Sequence, residues 1–143
     1  MPIDRINWLA VLVGGVIYYL WGWAFFTLFG NQWLTAIGPM RDHLNPKDPV
    51  PYIVSLVMAL VLSFGVAVAL SHDDNRTPKH GIQFGIFFGL FFLASTMLTG
   101  VLYEGHSISL WVIDASYVVI GLVILGALHG AWRKAAKAPA APT

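Results

Sequence analysis

Four long stretches of this chain carry almost no charge, and that constrains its fold more than any motif. No Asp, Glu, Lys or Arg lies between Arg5 and Arg41, between Asp48 and Asp73, or between Lys79 and Glu104, and only Asp114 interrupts the run from Glu104 to Arg133. Each stretch is long enough for the ~20 apolar residues that a spanning helix needs. Hydrophobic residues make up 57% of the chain and charged residues 10%, whereas a soluble domain carries roughly 25% charged residues. With a mean hydropathy of +0.71, this composition predicts an all-α membrane protein. Four transmembrane helices in an antiparallel bundle are expected at about 6–29, 50–70, 82–103 and 108–132. They form a single domain over 1–132, followed by a basic, Ala/Pro-rich tail at 133–143. Almost the whole chain is used, so no soluble catalytic domain is expected.

The first span exceeds the h-region of a signal peptide and ends in bulky aromatics, so it is expected to remain as an uncleaved anchor. Four spans put both termini on one side. Arg5, Arg76, Lys79, Arg133, Lys134 and Lys137 fall on that side and only Arg41 and Lys47 on the other, which predicts cytoplasmic termini. The absence of cysteine excludes disulfides, thiolate metal sites and thiol chemistry.

Aromatic residues mark the expected interfaces. Trp8 and Trp132 belong to one edge, and Phe25, Phe26, Trp33, Tyr52, Tyr103 and Trp111 to the other. After the first span, Trp33, Leu34 and Ile37 read as a short helical turn on the outer surface. The segment beyond them, with Pro39, Pro46, Pro49 and Pro51, is expected to be a loop. "EGHS" is nearly a bare turn, so the third and fourth spans are antiparallel neighbours. Gly81, Gly85 and Gly89 recur at four-residue spacing, as do Gly126 and Gly130. Such ridges let helix backbones approach closely, either within one bundle or against a partner.

Asp114 is the strongest polar signal. A charged group at the bilayer centre costs at least ~2.5 kcal/mol, which makes an intramembrane carboxylate a functional candidate. It lies about 9 Å inside the fourth span at ~1.5 Å per residue, in the outer third of the membrane. Trp21, Trp23, Ser55, Ser95, Thr96 and Thr99 map to the same depth and could supply indole and hydroxyl donors. Glu104 and His106 would extend this polar layer outward. No Lys or Arg lies inside a span to pair with Asp114. The carboxylate is therefore either protonated or fed by several donors, as a helix-orienting group, a proton or cation relay, or a contact to a partner.

His72, His80 and His129 map near the side of the termini. Only His129 lies within a span, where a lone imidazole could ligate a pigment or haem; its ordinary role is packing. "HDDNRTPKH" lacks fixed metal-ligand spacing, so no metal is expected. There is no G-x-S-x-G, H-E-x-x-H or phosphate-binding Gly loop, no basic aromatic surface for nucleic acid, and no Ser-His or Asp-Asp pair at matching depth.

The opening block "NWLAVLVGGVIYYLWGWAFFTLFGNQWLTAIG" and the closing block "LYEGHSISLWVIDASYVVIGLVILGALHGAW" together resemble the family catalogued as domain of unknown function 1761. The residues carrying the resemblance are Asn7, Trp8, Trp21, Gly30, Trp33, Gly38, Glu104, Ala115, Tyr117, Gly126 and Trp132. It implies a small bacterial four-helix protein of the inner membrane and brings no activity or cofactor. The family pattern usually has Asn at the position of Asp114, which weakens an obligatory proton relay and favours a polar hub between helices.

The expectation that follows is a non-enzymatic inner-membrane protein without a cofactor. Its partners would be the lipid bilayer and either itself or other subunits of a membrane complex. The alternatives are a small transporter or channel component using the layer around Asp114, and a pigment or haem subunit using His129.

Overall fold

A computed structural model describes residues 3–134 of the chain. Most of the expected tail, 135–143, lies outside the described residues. Among those residues every regular element is helical. A single 3-10 turn, Ile3–Arg5, leads into α1, Trp8–Ile37, whose first turn is capped by the Asn7 side chain accepting from the Ala10 N–H at 3.2 Å. The second helix, α2, is Val50–Ser71 and has proline in its first turn, where the missing N–H costs no helical bond. Thr77 caps α3, Pro78–Phe88, which runs through a π-helical segment, Gly89–Ala94, into α4, Ser95–Tyr103. The last helix, α5, is Ile108–Ala131.

By length and hydropathy four segments can cross a membrane: Trp8–His43, Val50–Ser71, Pro78–Tyr103 and Ile108–Ala131. The first is longer than expected. Its α-helix runs on through Asn31, Gln32 and Trp33 to Ile37 and then tightens into a 3-10 stretch, Gly38–His43. Polar residues alone do not end a helix. Gly38, at φ 62, and Pro39 are the first residues that interrupt α1, while Thr35 Oγ1 donates back to the Asn31 carbonyl at 2.9 Å. Trp33, Leu34 and Ile37 therefore belong to α1 and not to a separate surface turn.

The fifth helix is the hub, packing against α1, α2, α3 and the π segment, while α1 and α2 also pack on each other. Glycine sets its contact with α3. A Cβ on Gly81 would collide with the Gly126 carbonyl, one on Gly126 with the Gly81 carbonyl, and one on Gly130 with the Thr77 carbonyl; one on Gly85 would lie 2.5 Å from the Leu122 carbonyl oxygen. Gly89 continues the ridge against Val119. Both glycine series are thus placed on one intramolecular interface, where backbone approaches backbone. The wider π turn disturbs the regular ladder of α3–α4. Support comes from α5, whose Trp111 Nε1–H donates to the Ala94 carbonyl at 2.8 Å.

Tyr18, Ala59, Val66, Leu70, Leu122 and Leu125 form the main core, drawn from α1, α2 and α5. At one end Ile6 packs with Val11 and Ala67. At the other, Ile37, Val101 and Leu110 cluster with Trp33 and Trp111, so the end of α1 leans onto α4 and α5. The N-terminal half of α2 does not follow: no residue from Val50 to Met58 is buried, and burial begins at Ala59. The two termini of the described chain meet at the end opposite this splayed region. Arg5 pairs with Asp74, Lys134 Nζ donates to the Asp4 carbonyl at 2.9 Å, and Arg133 Nη1 donates to the Asp74 carbonyl at 3.4 Å.

Candidate functional site

Asp114 sits on α5 near the end where α1 leans in. It is half-buried, and the Trp33 indole and His106 are near enough to bear on its carboxylate. The extension of α1 explains this, because it carries Trp33 onto α5, where it packs with Leu110 and Trp111. His106 in turn lies 3.5 Å from Glu104.

The other residues of the expected layer do not converge on Asp114. Trp21 donates its Nε1–H to the Tyr117 carbonyl at 3.0 Å. Trp23 is 58% exposed and lies across from Tyr52, ring centroids 6.4 Å apart. Ser55 is exposed on the free half of α2. Ser95, Thr96 and Thr99 point away from α5, with their hydroxyls returned to their own helix: Ser95 to the Phe91 carbonyl at 2.6 Å, Thr96 to Phe92 at 2.8 Å and Thr99 to Ser95 at 3.4 Å. Depth along a helix is readable from residue count, but the face a residue occupies depends on which neighbours pack there. Hydroxyls on the lipid side satisfy themselves on the i−4 carbonyl.

What α1, α2 and α5 do enclose together is an aromatic cleft of about 370 Å³, lined by Tyr18, Gly22, Trp23, Tyr52, Ser55 and Tyr117 among others. Tyr18 and Tyr117 form its floor, with ring centroids 5.5 Å apart. Gly22 permits the approach of Tyr117, whose hydroxyl would lie 3.2 Å from a Cβ there. Phe25 and Phe26 pack on the same ring at 5.6 and 5.3 Å. Tyr18, Gly22 and Phe25 recur at helical spacing, a signal present in the sequence.

At the other end lies a pair that depth did not reveal. Ser63 on α2 and His129 on α5 are 0% and 3% exposed, with Ser63 Oγ 3.0 Å from His129 Nε2. Counting from the helix ends sets Ser63 deeper than His129, so no Ser-His pair was expected. Side chains on a helix tilt toward its N-terminus, and His129 therefore reaches inward to Ser63. The Ser63 hydroxyl donates to the Val11 carbonyl at 2.9 Å. Its proton is thereby committed, so the serine accepts from His129 Nε2–H. This chain of bonds ties α5 through α2 to α1. An imidazole protonated at Nε2 is no base toward this serine, and Nε2 is not free to ligate a pigment or haem. Gly14 closes over both side chains, a Cβ there lying 2.5 Å from Ser63 Oγ and 3.2 Å from His129 Nε2. The remaining histidines are elsewhere: His72 Nδ1 bonds the Val68 carbonyl at 3.0 Å, and His80 Nδ1 lies 3.0 Å from Asp73. Among the described residues, no cluster of three or more His, Asp or Glu side chains is arranged to hold a metal.

Four apolar spans gathered on α5, tied to one another by a few buried polar bonds, define a small multi-pass α-helical membrane protein. The chain belongs to the DUF1761 family, described as a protein of unknown function, whose model matches residues 9–130. Comparison with curated proteins and with solved structures gives no match.

Proposed function

We propose that the chain is a non-enzymatic subunit of the bacterial inner membrane, with both termini in the cytoplasm, that acts by association. The partner is a second copy of the chain, met through the outer halves of α1 and α2. The observation that carries this reading is the contrast within α2, which is unburied from Val50 to Met58 and packed from Ala59 onward. Beside that free half lies the cleft of about 370 Å³. An exposed helix face and a hollow beside it are the elements of a two-fold interface, in which each copy presents the same patch to the other. Sparse mass outside the spans and a polar interior spent on helix ties support a role in assembly over one in chemistry. The six-to-two bias of Lys and Arg supports the orientation.

The test is the mass of the full chain, 15.7 kDa, in nanodiscs and in mild detergent, with the absorbance spectrum recorded on the same sample. A colourless species of twice the chain mass is expected. A monomer under both conditions contradicts the reading. A stoichiometric foreign protein replaces self-pairing with an accessory role in another complex, and visible absorbance would reinstate a pigment.

A further inference from the structure

The end of the molecule that holds the termini contains more positive charge than its own carboxylates neutralise. Arg5, Arg76 and Arg133 come from three separate segments, the turn before α1, the α2–α3 loop and the residues after α5, and they gather at one loop: Arg5 pairs with the Asp74 carboxylate and Arg133 Nη1 donates to the Asp74 carbonyl, two residues before Arg76. Of the three carboxylates at this end, Asp74 pairs with Arg5, Asp73 lies 3.0 Å from His80, and Asp4 is the third. Arg133 and Lys134 rest on neutral backbone carbonyls of Asp74 and Asp4. Arg76 has less still. It is 7% exposed, and its Nε has no hydrogen-bond partner among the described residues.

Burial, reinforced by Arg133 and Arg5 and opposed by Asp73, pushes the Arg76 guanidinium below its ordinary pKa. A desolvated cation flanked by like charges is costly unless an anion joins it. The location narrows which anion. Arg76 lies between the end of α2 at Ser71 and the start of α3 at Pro78, and Arg133 follows the end of α5 at Ala131, so the cluster stands where apolar spans meet water. Guanidinium groups match phosphate oxygens in paired, charge-assisted bonds, and basic clusters next to membrane spans attract anionic headgroups.

We propose that Arg76, together with Arg5 and Arg133, binds a phosphate group at this end of the bundle. Its sources are the headgroup of an anionic phospholipid and free phosphate, and both are held by the same guanidinium chemistry.

The test uses the full-length protein in detergent, by native mass spectrometry with equimolar dioleoylphosphatidylglycerol and dioleoylphosphatidylcholine, and in parallel by thermal unfolding with added inorganic phosphate. Arg76→Gln and Arg133→Gln are compared with Arg41→Gln, which removes one charge at the opposite end. Arg133 is exposed, so its variant keeps the test decisive if Arg76→Gln fails to fold. Preferential retention of phosphatidylglycerol, weakened roughly fivefold to tenfold in Arg133→Gln and unchanged in Arg41→Gln, supports the site and identifies a lipid headgroup. Stabilisation by inorganic phosphate that Arg133→Gln abolishes, without lipid preference, supports it and identifies free phosphate. Neither effect in the wild type, or equal weakening in Arg41→Gln and Arg133→Gln, overturns it.

Discussion

Gly81 on α3 and Gly126 on α5 pass so closely that a Cβ on either would meet the backbone carbonyl of the other. Neither side can yield by rotating a side chain. In an ordinary helix Gly→Ala is favourable by up to about 1 kcal/mol; at this crossing the sign reverses. Gly81→Ala and Gly126→Ala are each expected to destabilise by about 1–3 kcal/mol, the usual cost of overpacking. Gly65→Ala and Gly100→Ala, where nothing lies within 4 Å of the added atom, should be neutral or stabilising. Unfolding in mixed micelles, followed by tryptophan fluorescence, reads all four, and equal behaviour of the two pairs would refute the backbone crossing.

The Ser63–His129 bond predicts a structural and not a catalytic phenotype. Ser63→Ala leaves His129 Nε2–H without its partner and strips the second bond from the Val11 carbonyl, at a cost of about 1–3 kcal/mol for a buried group left unpaired. A fluorophosphonate probe should leave Ser63 unmodified in the folded protein, because the hydroxyl is closed off by Gly14 and its proton is given to Val11. Stoichiometric labelling at Ser63 would mean that the pair is reactive.

Trp111 holds the π segment of the third span from outside. Trp111→Phe keeps the ring and removes the N–H that donates to the Ala94 carbonyl, so a loss of about 1 kcal/mol is expected. Amide exchange should quicken across Gly89–Ala94 while α3 nearer its cap stays protected. Uniform exchange along the whole span would show that the π turn needs no such support.

Asp114 and Trp33 predict a difference between two substitutions. Asp114→Asn keeps an acceptor facing the indole and should change stability by no more than about 0.5 kcal/mol. Asp114→Leu removes the acceptor and should cost about 1 kcal/mol, with a shift in Trp33 emission. If Asn is as damaging as Leu, the ionised carboxylate matters in its own right and a transport role regains its footing.

Span number and the shared end of the termini were legible because both follow from where charge is excluded, a property of composition along the chain. The polar layer was not. Ser95 and Thr99 have the depth of Asp114 but the opposite face, and nothing in a uniformly apolar span tells lipid from protein. Ser63 and His129 were hidden for a related reason, since their meeting depends on helix offset and on how far an imidazole reaches. The first span was expected at about 6–29 with a separate turn after it, but α1 continues to Ile37, because only Gly38 and Pro39 interrupt the α-helix. Arg76 counted in the sequence as one more positive-inside residue, and only the fold shows it buried beside two other arginines.

The central claim, self-association through the free half of α2, is tested most directly by cross-linking in the native membrane. The chain has no cysteine, so a single Val54→Cys, exposed on that half, gives one unambiguous handle, and Phe91→Cys, exposed on the π segment, is the control. With a short bismaleimide, Val54→Cys is expected to give a homodimer in high yield and Phe91→Cys only the monomer. A Val54→Cys chain that stays monomeric, or that cross-links no better than Phe91→Cys, would contradict the account.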